Sequence, residues 1–247
     1  MKRNYPKILR NRKHRIERRL EPKNWGDQPR PMLKASNIQY EMAKRVQGTN
    51  CGGIGAMHLM VQRLGLVEDM DRNLELLKVH LPYHESDHVL NIAYNILAGG
   101  VRLEDIEGRR RDEVFLNGLG AERLPDPTTA GDFTRRFSEP DIISLQECLN
   151  RARLKVWQVQ PEEFLKEAFI DVDGTIAGTY GECKQGMGLS YKGIWGYAPL
   201  LVTLANTKEV LYMVNRPGNA ASHTGSIEWI DRMLIFRLRC GRASSTR

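Results

Sequence analysis

Three short apolar runs constrain the fold of this 247-residue chain more than any other feature. They are AFIDV (168–172), GYAPLLVTLA (196–205) and EVLYMVN (209–215), and each reads as a strand. Only Asn206, Thr207 and Lys208 separate the last two, a hairpin-like connection. The 197–215 stretch leaves no room for the helical crossover that a parallel pair needs, so the strands are expected to be antiparallel. A helix should open at Thr224 or Ser226 and run through Ile227, Trp229, Ile230 and Met233. The order is strand, strand, strand, helix.

Upstream, from Asn37 to Gln160, the pattern is helical, which makes the fold class α+β. The segment GTNCGGIG (48–55) lacks the G-K-[ST] ending of a phosphate-cradling loop and reads as a turn feeding a helix. Ser86 and Asp87 form a helix start, followed by an apolar face of Leu90, Ala93, Ile96 and Leu97 and a stop at Gly99. Pro125, Pro127, Thr128 and Thr129 make a capped turn before the next helix. Then Ile142, Leu145, Leu149, Ala152 and Val156 recur at three and four residue steps, with Arg151, Arg153 and Lys155 off that face. Short helices with Arg clusters fit a helix-turn-helix reader and a plain helical bundle equally.

The net charge of +7 is unevenly placed. Residues 1–34 carry twelve Lys or Arg against three acids, whereas 35–231 are acidic on balance. A basic arm on a mildly acidic body suits a polyanion, because each cation near a phosphate releases a counterion; a solvated tail is the alternative. The candidate DNA contacts are Arg12, Lys13, Arg15, Arg18 and Arg19 in the arm, with Arg135 and Arg136 further on. Pro22, Pro29 and Pro31 mark a linker after the arm, so the expected organisation is arm and linker over 1–35, a helical region over 36–160, and the strand-rich part over 161–247. The absence of a long apolar span and of a signal core implies a cytoplasmic protein, and the four scattered cysteines form no zinc or disulfide framework.

The chemistry concentrates in FIDVDGT (169–175). Asp171 and Asp173 are two apart on a strand, so both side chains point to one face and can address one metal. Hard cations such as Mg²⁺ bind a few protein oxygens and complete their shell with water and phosphate, and a metal pair roughly 4 Å apart supports in-line displacement at phosphorus. The motif D-x-D-G-T also resembles the first motif of haloacid-dehalogenase-like phosphatases, which would make Asp171 a nucleophile and Asp173 an acid/base. Its late position, the lack of a final acidic pair and the antiparallel strand spacing oppose that assignment.

A longer likeness covers most of the chain. PYHESDHVLNIAYNILAGG, LEDIE and PDPTTAGDFTRRF, followed by DVDGT, YKGIWGYAPLLVTL and NRPGN, resemble one group of bacterial insertion-sequence transposases with an RNase H-like DDE catalytic domain. The resemblance implies a partial RNase H-like domain over 161–247, made of three antiparallel strands and a helix. It implies Asp173 as the first catalytic acid and metal ligand, in a D-x-T step with Thr175, and Asp171 and Thr175 as close neighbours supporting it. It also implies Mg²⁺ or Mn²⁺ as cofactor, terminal inverted repeats and target DNA as partners, self-association, and a nucleoid-associated location. It places the turn Asn215–Arg216–Pro217–Gly218–Asn219 near the active site.

The family's second Asp, closing a fourth strand, and its Glu, on a later helix, have no counterpart here. From about residue 233 the chain turns to MLIFRLRCGRASSTR, read as an aberrant, frame-shifted tail. The expectation is therefore an inactive, C-terminally truncated copy that still binds DNA, with an open sheet edge. Two smaller signals remain. His80, His84 and His88 have metal-ligand spacing, but Pro82 interrupts a common helix. Tyr191, Trp195 and Tyr197 surround Lys192 and can either stack on bases or pack inward.

Overall fold

The computed structural model describes residues 5–34, 51–180 and 184–233. The expected start of the helical region at 36, the first part of GTNCGGIG and the tail beyond 233 lie outside these residues. The chain divides into two compact units, 1–149 and 150–247, and the boundary falls inside one long helix.

The first unit is helical: α1 (Tyr5–Leu20), α2 (Ile54–Arg63), α3 (Leu66–Asn73), α4 (Glu85–Leu97), α5 (Ile106–Arg110), α6 (Glu113–Gly118), α7 (Pro127–Thr134) and the first part of α8 (Glu139–Trp157). Its core gathers Met70, Leu74, Ile106, Phe115, Leu116, Leu119, Leu124, Ala130 and Phe133. The helix starts follow cap chemistry. Asp112 accepts from the backbone N–H of Val114 and Phe115, and Asp126 accepts from that of Thr129 with Pro127 as the first helical residue.

The linker after α1 is fastened down. Buried Asp87, in the first turn of α4, accepts from the N–H of Met32 at 2.7 Å, of Leu33 at 2.9 Å and of His84 at 3.0 Å. Burial raises the Asp87 pKa, and those three backbone bonds act against the rise. His58, fully buried, joins the Tyr94 hydroxyl at 2.8 Å and the Leu33 carbonyl at 3.1 Å.

Two apolar stripes expected from spacing are corrected. On α4, Ile96 and Leu97 are exposed, while Leu90, Asn91, Tyr94 and Asn95 are buried. On α8, Ile142, Leu149 and Val156 are exposed, while Cys148, Asn150, Ala152 and Trp157 are buried. In both helices buried asparagines use their amides on backbone carbonyls: Asn91 on Pro125, Asn95 on Arg102 and Asn150 on Leu211. Each of these amide nitrogens thus has a partner inside, so polarity did not mark the outer face.

The second unit holds β1 (Ile170–Gly174), β2 (Ala177–Gly178), β3 (Gly188–Leu189), β4 (Trp195–Tyr197), β5 (Leu200–Leu204) and β6 (Glu209–Val214), and residues 226–233 are helical. The main sheet is antiparallel in the order β1-β5-β6, as the hairpin spacing requires. A second antiparallel sheet, β2-β4-β3, was not expected. One face of the main sheet carries Val172, Leu200, Val202, Leu204 and Tyr212, against which Trp229 packs with ring centroids 5.4 Å from Tyr212. A register shift beside Val202 and Thr203 leaves Leu211 as the extra, bulged residue of β6. The C-terminal half of α8 lies along that edge: Asn150 Nδ2 donates to the Leu211 carbonyl at 3.0 Å and Arg153 Nη2 to that of Val210 at 2.9 Å. Arg153 Nε and Trp157 Nε1 bind the two oxygens of Glu209 at 3.0 and 3.1 Å. Among the described residues no helix is long and apolar enough to cross a membrane.

Candidate functional site

Strand parity places Asp171 and Asp173 together on the outward face of β1, both exposed, with Ile170, Val172 and Gly174 half-buried on the other. Across the sheet, Asp173 is level with Leu201 and Met213, and Asp171 with Thr203 and Val210. Asp173 Oδ1 accepts from the N–H of Gly174 at 2.7 Å, and the N–H of Thr175 donates to the Pro199 carbonyl at 3.0 Å. The end of β1 is thus tied to the start of β5, with one carboxylate presented beyond it.

Beneath that end lies the arginine of the 215–219 turn, whose contacts the sequence did not reveal. Buried Arg216 donates through Nε to the Ala198 carbonyl at 2.9 Å, and through Nη1 to the carbonyls of Ala221, Ser222 and Thr224 at 3.2, 3.2 and 2.7 Å. Its Nη2 has no hydrogen-bond partner among the described residues and adjoins Gly174. Burial lowers the guanidinium pKa, but so basic a group stays charged. The expected proximity of the Asn215–Asn219 turn to Asp173 has this physical form: Arg216 reaches under β1, and Gly218 donates to the Gly196 carbonyl at 3.1 Å.

The donor set for a divalent cation is thin. On this face stand Asp173 and Asp171, and the residues level with them on β5 and β6 carry no carboxylate. The acids after Asp173 are Glu182, Glu209, Glu228 and Asp231. Glu209 is taken by Arg153, Trp157 and Thr207, and Glu228 pairs with Arg232 at 3.4 Å. A two-metal centre needs more oxygens than these residues supply, so the face does not fit such a centre.

Among the described residues the one group of three candidate ligand atoms close together is His80, His84 and Glu85, within 4.8 Å of one another. The two imidazoles are stacked at 3.8 Å and nearly parallel, at 6°. Rings in parallel planes cannot both aim an in-plane lone pair at one ion. The neighbouring bonds explain the cluster as structure: His80 Nε2 meets Glu85 at 3.2 Å, Glu85 accepts from the N–H of Leu76 and Leu77, and His84 Nε2 meets the Gln28 carbonyl at 2.7 Å. His88 is apart from it, stacked on Phe133 at 4.3 Å.

The basic residues separate into two sets. Arg15 pairs with Glu113 at 3.1 Å, Arg19 Nη2 donates to Asn117 Oδ1 at 2.8 Å, and between them buried Ile16 seats α1 on the helical unit. Arg135 pairs with Asp132 at 2.6 Å, and Arg136 reaches the Leu76 carbonyl at 3.4 Å. Among the described residues Lys13 makes an exposed pair with Glu17 at 3.7 Å, and Arg12 and Arg18 form no ion pair. Lys13 and Arg18 are exposed and Arg12 is half-buried, and Arg135 stays largely exposed in its pair with Asp132, so both sets keep cations accessible to a ligand.

The antiparallel pairing of β1 with β5 disfavours the phosphatase assignment, which requires a parallel sheet. No curated protein and no solved structure is similar enough to match the chain. The family described as transposase DDE domain, group 1, matches residues 40–243, which takes in α2 to α8 and both sheets and leaves α1 outside. The chain belongs to the DDE transposases, a family of nucleotidyl-transfer enzymes acting in transposition.

Proposed function

We propose that this chain is the end-binding portion of an insertion-sequence transposase and that by itself it neither cleaves nor joins DNA. The observation that carries this is the isolation of Asp173. It stands exposed at the end of β1, the position that the resemblance gives to the first catalytic acid, and among the described residues β1 is an edge strand with no fourth strand beside it to carry a second acid. With Asp171 as its nearest acidic neighbour in sequence, Asp173 offers Mg²⁺ or Mn²⁺ a weak site, since affinity for hard cations grows with ligand number and charge. In this reading Asp173 is the metal ligand and Asp171 and Thr175 hold its surroundings.

Residues 1–35 serve as a basic arm, 36–160 as the DNA-binding region and 161–247 as a partial RNase H-like domain. Terminal inverted repeats are held through phosphate contacts from Arg12, Lys13 and Arg18, with Arg135 and Arg136 at the end of α7 as a second site of contact. Arg15 and Arg19 act indirectly by seating α1. The protein works in the cytoplasm on nucleoid DNA, and self-association would bring two ends together.

Incubating the purified chain with Mn²⁺ and DNA carrying the element's ends tests both parts. Retarded mobility without strand cleavage is the expected result. Cleavage that disappears in Asp173→Ala would overturn the claim of inactivity, and no retention of DNA at low salt would overturn the binding claim.

A further inference from the structure

The second sheet is a platform with no counterpart in the expected strand order. Its β3–β4 hairpin closes through the N–H of Ser190 on the Ile194 carbonyl at 2.9 Å, the N–H of Gly193 on the Ser190 carbonyl at 2.9 Å, and the N–H of Ile194 on Ser190 Oγ at 3.0 Å. Gly193, at φ 72°, supplies the left-handed turn residue.

At its base the hairpin is locked by backbone contact. A Cβ on Gly196 would stand 2.1 Å from the Ala177 carbonyl oxygen, and one on Gly218 would stand 2.3 Å from that of Gly188. The Tyr197 hydroxyl donates to the Gln185 carbonyl at 2.8 Å, and Tyr197 pairs with Pro217. Of the three aromatics around Lys192, Tyr197 is therefore the one that packs.

The other two face solvent. Tyr191 is 87% exposed, Trp195 58%, and nearby Tyr180 96%. Leu189, the cross-strand partner of Trp195, is exposed as well. The Lys192 ammonium lies 5.5 Å from the Tyr191 ring centroid, and residues 184–199 carry two lysines and no acid. A rigid base thus holds aromatic faces and cations out in water. Apolar surface left open in this way marks a contact site, and aromatic rings beside cations are the combination that takes unpaired nucleotides.

We infer that the β3–β4 hairpin, through Tyr191, Lys192 and Trp195, stacks on unpaired bases of DNA. The inference rests on the DNA-binding role proposed above and adds to it a preference for single-stranded nucleotides. Two features place such nucleotides next to Asp173: β2 begins at Ala177, directly after the Gly174 end of β1, and the NRPGN turn that carries Arg216 also holds the hairpin base.

The test compares the full chain on a blunt duplex and on the same duplex with a single-stranded oligothymidine extension, by fluorescence anisotropy at fixed salt. The wild type should bind the extended DNA roughly tenfold more tightly, the scale expected for one stacked base. Tyr191→Ala and Trp195→Ala should abolish the preference and leave blunt-duplex affinity unchanged, whereas Tyr191→Phe and Trp195→Phe should retain it. Quenching of tryptophan emission by the extension should be lost in Trp195→Phe. Equal affinity of the wild type for both DNAs would overturn the inference while leaving the end-binding reading intact. Failure to bind either DNA would overturn both. Concentration-dependent dimerisation in sedimentation that Trp195→Ala removes, without any extension preference, would reassign the platform to self-association.

Discussion

Arg216 Nη2 stands 2.9 Å from where a Cβ on Gly174 would be, so the residue after Asp173 is a glycine for the sake of a guanidinium beneath it. That guanidinium cannot easily step aside, because Nε and Nη1 are held by four backbone carbonyls. The room at Gly174 goes to a side chain from the far end of the unit.

Gly174→Ala should therefore destabilise the chain by about 1–3 kcal/mol, the usual range for overpacking. Arg216→Ala, which strips four carbonyls of a donor, should cost a similar amount. The double variant should be no worse than Arg216→Ala alone, since the clash disappears with the guanidinium. Urea denaturation followed by tryptophan emission measures all three, and additive losses would refute the contact.

On α8, Asn150→Ala should cost about 1–3 kcal/mol, because it leaves the Leu211 carbonyl at the bulge without its donor. Leu149→Ala, one residue away but exposed, should stay within about 0.5 kcal/mol. The larger loss should fall on Leu149 if the stripe suggested by spacing were the buried one.

Burial lowers the His88 pKa from 6.5 to about 4, with Glu85 and Asp126 opposing the shift and Arg136 reinforcing it. The unfolded chain then takes up a proton that the native state refuses, so stability falls as pH drops from 6.5 towards 4. The loss is on the order of 3 kcal/mol at its full extent. Asp71 and Asp87 act oppositely: burial raises their pKa above 3.8, so the native state gains as pH falls through the raised values. His88→Leu isolates the histidine. Its unfolding free energy relative to wild type should improve steadily between pH 6.5 and 4, and a pH-independent difference would exclude a neutral buried imidazole.

For the arm, each phosphate contact removed should lessen the slope of log K against log salt by roughly 0.9. Lys13→Ala and Arg18→Ala should do so without changing the melting temperature. Arg15→Ala, which leaves Glu113 without its cation, should show its main effect in stability. An unchanged slope in the combined Arg12, Lys13 and Arg18 variant would remove the arm from the interface.

What the sequence determined by itself was local. The three-residue link at Asn206–Lys208 dictated antiparallel pairing, period-two alternation put Asp171 and Asp173 on one face, and the capped turn at Pro125, Pro127, Thr128 and Thr129 marked the start of α7. Each of these depends on neighbours a few residues apart, which a single chain displays directly. Tertiary structure decided the rest. The strands of the second sheet are two or three residues long and glycine-rich, too short for alternation to register, and they exist because Gly196 and Gly218 let backbones touch. Buried Asn91 and Asn150 inverted the apparent polarity of two helices, since a carbonyl distant in sequence satisfied each amide. Arg216 reached Gly174 across 42 residues for the same reason: burying a polar group depends on partners that only the folded chain brings near.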